Sequence, residues 1–294
     1  MTLVPVYRDR ASALHAARAG VAASFCCAFG LAGSLYRHPL ILAGALTGVV
    51  GAGIAAGVGR EVARSLRLAL PFALLLAIVN AVVYQEGATL LVRGGHFLGR
   101  SWDITLESAA YGAFNAMRIV VLIAALGGLM SAAVDPDELL KALRRISYRS
   151  ALTAALATRL VPVLARDAGR MGDAARCRPN PPGRLAVVRA AMANSLDRAV
   201  DVAAALEVRG YALAGRPPRG RRPWSRHDLR IAAAAVAVTV LAVAGALAGV
   251  GEVEAYPTIS MALGPAELGL AAALALLGVA PLVGRASRVG VGRG

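Results

Sequence analysis

Charge is scarce in this chain, and lysine is almost absent. Only 17% of its 294 residues are charged, against about 25% in an ordinary soluble domain, and Lys141 is the sole lysine. So little polar surface excludes a soluble domain of this size. Lys141 belongs to no G-x-x-x-x-G-K-[ST] run, so the chain has no phosphate-cradling loop and any ATP-driven work requires another polypeptide. Three cysteines are present. Cys26 and Cys27 are adjacent in an apolar run, and Cys177 stands alone in a basic stretch, which excludes a disulfide framework and C-x-x-C metal spacing. The four histidines, His15, His38, His96 and His227, are isolated, and neither H-E-x-x-H nor G-x-S-x-G occurs. No metal site and no catalytic residue is expected, and an enzyme is excluded on the same grounds.

What the chain has is apolar length. Hydrophobic residues make up 57%, and the 32 glycines suit close helix packing in lipid. Spans of about 20 apolar residues cross a bilayer, and shorter ones cross with snorkelling flanks. Six are read, near 20–36, 39–58, 66–84, 109–133, 229–250 and 266–284. Arg37, His38 and Pro39 join the first two as a tight helical hairpin. Pro71 is expected in the first turn or two of the third span, where proline is tolerated. The fourth carries one intramembrane charge, Arg118. Residues 1–20 hold Arg8, Asp9, Arg10 and Arg18 without an apolar core, so they are not a cleavable signal by themselves.

The charges present are lopsided, with 32 Lys and Arg against 17 Asp and Glu. Nineteen of the basic residues fall in 135–230, between apolar spans, which reads as positive-inside bias and not as a nucleic-acid surface. Placing 135–228 in the cytoplasm puts the N-terminus, Arg60, Arg64, Arg67 and the Arg285, Arg288 and Arg293 tail there too. Loop 251–265, with Glu252 and Glu254 but no Lys or Arg, falls outside. The chain is therefore expected as a multi-pass protein of a bacterial cytoplasmic membrane, surrounded by lipid. Three regions follow: four spans over 1–134 with an outer loop at 85–107, a module at 135–228, and two spans with a basic tail over 229–294. In the outer loop, Ala88–Arg93 and Ser101–Leu106 flank Gly94, Gly95 and Gly99, which suits either a small hairpin or an irregular loop.

The 135–228 module is the distinctive part. Asp135-Pro136-Asp137-Glu138 is a helix start, with an Asp cap, proline at the first helical position and acids at the positive dipole end. A second helix, about 150–175, carries Leu152, Leu156, Leu160, Val163 and Leu164 on one side, and Pro162 is expected to kink it. Arg178-Pro-Asn-Pro-Pro-Gly183 stops it. A third helix from about 184 carries Leu185, Val188, Met192, Leu196, Ala199, Val202 and Leu206 near a 3.6 period. Such helices lie on a membrane surface or offer a face to a partner. The second ends in Ala175-Arg176-Cys177 and the third in Val208-Arg209-Gly210, each a triplet with central arginine. Arginine's rigid fork of donors suits carbonyls or a carboxylate of another protein, although cations favour helix C-termini in any case.

The chain resembles the transmembrane T component of energy-coupling factor importers. The resemblance rests on an ordered series: Gly87-Ala-Thr-Leu-Leu-Val-Arg93, Ile104-Thr-Leu-Glu-Ser-Ala-Ala-Tyr-Gly112, Asp135-Pro-Asp-Glu-Leu-Leu-Lys-Ala-Leu143, Leu156-Ala-Thr-Arg-Leu-Val-Pro162 and Ala205-Leu-Glu-Val-Arg-Gly-Tyr211. It implies an all-α polytopic membrane protein of about six transmembrane helices with a cytoplasmic module of amphipathic coupling helices. It also implies that Ala175, Arg176 and Cys177, and Val208, Arg209 and Gly210, dock on two ABC-type ATPases, as homodimer or heterodimer. ATP and Mg would be bound by those partners and not by this chain. One small integral-membrane substrate-binding subunit would contact the apolar helix faces of Leu156, Leu160, Val163, Val188, Met192, Leu196 and Val202, and would release a vitamin or metal ion inward. Cys177 and Val208 depart from the residues usual in the two triplets, and two apolar spans follow the coupling region where one is expected. A self-sufficient carrier is the other reading: Arg118, Asn80 and Asn115 could line a polar path, although they could equally hold helices together or meet the substrate-binding subunit.

Overall fold

The computed structural model describes residues 10, 12–83, 89–92, 96–97, 100–101, 104–143, 148–180, 182–210, 223–254, 260–261 and 264–282. They form two compact units, one from Met1–Leu139 with Trp224–Gly294 and one from Leu140–Pro223.

The first unit opens with a short helix α1 (Ala13–Ala16), then α2 (Ala19–Leu35), α3 (Pro39–Ala55) and α4 (Gly59–Val83). Pro39 starts α3 because its fixed φ suits the first helical position. The same helix stops where Gly57 takes a φ of 75°, so that Val58 N–H reaches Gly53 O at 2.8 Å and Gly57 N–H reaches Ile54 O at 3.0 Å. The sequence predicts a span from 66 with Pro71 near its start, but α4 begins at Gly59 and Pro71 lies in its middle. The cause is an amphipathic lead-in: Val62, Ser65 and Ala69 face inward while Arg60, Arg64 and Arg67 stay exposed, and such a face is invisible to an average of apolar content.

Of the two alternatives for the 85–107 loop, the hairpin is the one formed. Strand β1 (Leu90–Val92) and, further in, β2 (His96–Phe97) pair antiparallel with β3 (Arg100–Ser101) and β4 (Ile104–Thr105), in the order β1 with β4 and β2 with β3. Buried Glu107 anchors it, accepting the Thr89 N–H at 3.2 Å. Helix α5 (Leu106–Leu122) follows at once. Its start is a reciprocal cap, with Ser108 N–H donating to Thr105 Oγ1 and Thr105 N–H to Ser108 Oγ, both at 3.2 Å. The run continues through a π-helical stretch, Ile123–Met130, into α6 (Ser131–Ala133). Helix α7 (Pro136–Leu143) comes next, its turn fixed by Asp137 N–H donating to Asp135 Oδ1 at 2.9 Å. The second unit holds α8 (Tyr148–Arg176) and α9 (Arg184–Val208). The first unit resumes with α10 (Arg226–Leu247), a short pair β5 (Val253–Glu254) and β6 (Ser260–Met261), and α11 (Pro265–Val279).

Within the first unit the most intimate pairs are α3 with α11, α4 with α5 and α2 with α10. Small residues permit this. A Cβ on Gly278 would fall 2.4 Å from the Gly48 Cα, and one on Gly112 would fall 2.6 Å from the Ala77 carbonyl. Phe25, Phe29, Leu42, Val49, Leu129, Ile231 and Leu274 fill the core, with Phe25 and Phe29 in an edge-to-face pair at 5.2 Å.

Among the described residues, three apolar helical runs are long enough to cross a bilayer: α4, the continuous 106–133 run and α10. The apolar helices α2, α3 and α11 are shorter. Leu70, Phe72, Leu74, Leu75 and Ile78 of α4 all point outward from the protein, a contiguous apolar face that water would not tolerate. This is an all-α membrane protein.

Candidate partner-docking site

The second unit is a helix pair. Arg198 of α9 forms an ion pair with Asp167 of α8, Nη1 to Oδ2 at 3.1 Å, and Arg170 also pairs with Asp167, a buried residue. On α8, Leu156, Leu160, Val163 and Met171 share the Asp167 side at helical spacing and are half-buried. On α9, Val187, Ala191, Asn194, Ser195 and Val202 share the Arg198 side and are half-buried as well. The ion pair therefore marks the seam along which the two helices meet.

The seven residues expected to contact a substrate-binding subunit divide between two faces. Leu156, Leu160, Val163 and Val202 belong to the seam side. Val188, Met192 and Leu196 are open, with Leu185 and Val200 beside them, as a stripe down the outer side of α9. Pro162 does not break α8, which runs continuously past it, although the missing proline N–H leaves the Thr158 carbonyl without its usual helical donor.

The two arginine triplets occupy helix ends. Arg176 is the last residue of α8, steered by Asp173 at 3.3 Å, with its side chain 81% exposed. Ala175 is tucked against the unit and Cys177 is open. Val208 ends α9 and is 90% exposed; Arg209 caps it, and Gly210 takes a φ of 75° with its N–H on Glu207 O at 2.9 Å. That left-handed turn is the reason for glycine at the third position of the triplet. Measured from the Asp167–Arg198 pair, Arg176 lies nine residues or about 13 Å along α8, and Arg209 eleven residues or about 16 Å along α9. The triplets thus end two different arms that share one joint. Each presents a cation beside a small or apolar neighbour, a combination that can enter a groove on another protein and hydrogen-bond its wall.

In the first unit, Arg118 of α5 donates to the Ser34 carbonyl of α2 and, at 3.5 Å, to Asn115 Oδ1. Asn80 is turned back on its own helix, donating to Leu76 O at 2.8 Å. Arg118 thus ties two helices together. Among the described residues no group of three or more His, Cys, Asp or Glu stands close enough to share a metal ion.

Sequence reading did not single out Asp167 and Arg198, nor a second polar knot in the first unit. There Asp228, fully buried, accepts the Arg18 N–H at 2.7 Å and caps α10 through Ser225. The available signal was a carboxylate interrupting an apolar face: Asp167 falls in register with Leu156, Leu160 and Val163.

A model of the CbiQ family, described as cobalt transport protein, matches residues 11–219, well over half of the chain. No curated protein matches the sequence.

Proposed function

Because the chain belongs to the CbiQ family of cobalt transport proteins, we propose that it is the transmembrane coupling subunit of an energy-coupling factor importer. In this reading, two ABC-type ATPases bind ATP and Mg, close, and move their grooves together. Arg176 and Arg209 sit one in each groove, so that α8 and α9 carry the motion to a small membrane subunit that holds the transported ion or vitamin. The chain works as a transporter component and leaves hydrolysis to its partners. The module containing α8 and α9 faces the cytoplasm of a bacterial cell, in keeping with the 19 basic residues between 135 and 230.

The observation that carries this reading is the pair of exposed arginines at the ends of two helices joined by an ion pair. Cations favour helix C-termini in any case, but here the Arg176 side chain is 81% exposed and Arg209 stands beside Val208 at 90% exposure, an apolar side chain left open as a docking tip requires. The substrate is the partner's concern, and the described residues of this chain offer no clustered ligands for it.

The test is charge reversal. Arg176→Glu with Arg209→Glu is expected to leave the protein inserted while ATPase capture from mild detergent extracts falls to background. Wild-type capture by the double variant would remove both triplets from the docking role. The bond from Arg118 to the Ser34 carbonyl ties α5 to α2, a role that accounts for this charge without a self-sufficient carrier.

A further inference from the structure

Two depressions on the first unit are continuous. One, of about 340 Å³, is lined by Gly20, Val21, Trp224, Val236 and Val240; the other, of about 520 Å³, by Cys27, Leu31, Ser34, Leu122 and Leu126. Ser24 and Thr239 line both, so the two adjoin as one groove along α2, the smaller against α10 and the larger against Leu122 of α5 and Leu126 of the π-helical stretch. From Gly20 to Ser34 it follows α2 for fourteen residues, about 21 Å, which exceeds the roughly 15 Å depth of one leaflet of hydrocarbon. Its wall is apolar apart from small hydroxyls, and Ser24 and Ser34 spend theirs on backbone carbonyls one turn back, at 2.8 Å. Thr239 does the same on Ala235 O at 2.9 Å.

The mouth of the groove differs from its floor. Trp224, 62% exposed, stands at the end of α10, and the Arg18 guanidinium lies over its ring at 5.0 Å. Arg226 is exposed in the first turn of the same helix. Buried Asp228, 3.7 Å from Arg18, offsets that cation, so among the described residues the exposed Arg226 leaves the mouth net positive. An indole at the rim is the ordinary interfacial placement for tryptophan.

We propose that this groove is a phospholipid site, holding one acyl chain along α2, against α10 near the mouth and against Leu122 and Leu126 further in, with an anionic headgroup at Arg18, Trp224 and Arg226. A positive mouth with an interfacial indole over an apolar floor matches an amphiphile with an anionic head, which an apolar helix face does not offer. One anionic charge near one unbalanced surface arginine corresponds to a preference of about fivefold over a zwitterionic headgroup.

Cys27 supplies the probe, since it is exposed on the groove wall while Cys26 is fully buried. In a Cys177→Ser background, delipidated full-length protein in detergent is treated with a small apolar maleimide, and phosphatidylglycerol or phosphatidylcholine is titrated back. The expected result is protection of Cys27 by both lipids, with phosphatidylglycerol effective at about one fifth of the concentration. Arg226→Gln, which leaves the Arg18–Asp228 pair in place, should bring the two lipids together, and Thr239→Phe should abolish protection by either. Equal protection by both lipids in the wild type would overturn the headgroup assignment. A thiol that stays reactive in lipid and is shielded only on adding a partner membrane protein would show the groove to be a helix-docking surface. Because the readout involves no ATPase, it fails or succeeds independently of the coupling role.

Discussion

Asp167 shows how much one residue can decide. It is a carboxylate on the apolar side of α8, and taking it out of water is tolerable only because Arg198 and Arg170 reach it. The Arg198 ion pair is the one that crosses between helices. With the Asp167 side chain 11% exposed and that of Arg198 36% exposed, the pair is partly screened, and its coupling energy should be about 1 kcal/mol. A double-mutant cycle with Asp167→Asn and Arg198→Gln, read as hydrogen exchange of the α8 and α9 amides, should return that value, each single change speeding exchange in both helices. Single changes confined to their own helix would mean that the pair does not hold the joint. The apolar register of α8 was legible from Leu156, Leu160 and Val163. The carboxylate's partner was not, because it lies 31 positions away and no local pattern links them.

At the scale of elements, helices α7 to α9 emerge from sequence close to their observed bounds, since prolines and glycine punctuate both ends: Pro136, the 178–183 stop and Gly210. The start of α4 does not, because Arg60, Arg64 and Arg67 hide a helical face under an unfavourable average. Which helix packs on which is also illegible in an alanine-rich chain, where every face looks alike. Glycine breaks that symmetry once contacts are known. At Gly278 any side chain meets the Gly48 backbone, so Gly278→Val should separate α3 from α11 and cost about 3 kcal/mol. Gly269 of the same helix has nothing within 4 Å of where a Cβ would stand, so Gly269→Ala should be neutral or stabilising by up to about 1 kcal/mol through helix propensity. Thermal unfolding in detergent checks both. Similar losses for the two variants would show that α11 tolerates no change anywhere, and the close contact would then explain nothing.

For the whole molecule the open matter is how the C-terminal helices are threaded. The family match ends at 219, yet α10 and α11 belong to the same packed unit as the early helices, α10 against α2 and α11 against α3. A helix of 15 residues such as α11 spans about 22 Å, short of a roughly 30 Å hydrocarbon core. Neighbouring α3, at 17 residues, is nearly as short, so a crossing by both requires local bilayer thinning. By the positive-inside rule the dense arginines of 135–230 are expected on one side, and 251–265, with Glu252 and Glu254 but no Lys or Arg, on the other. The expected outcome is specific. In a cysteine-free background, Asn180→Cys should react with an impermeant maleimide only in inverted vesicles, and Glu252→Cys only in intact cells. Labelling of both from one side would mean that α10 does not cross, and α10 packed along α2 would then have to enter and leave the bilayer on a single face, which its 22 apolar-rich residues leave no turn to do.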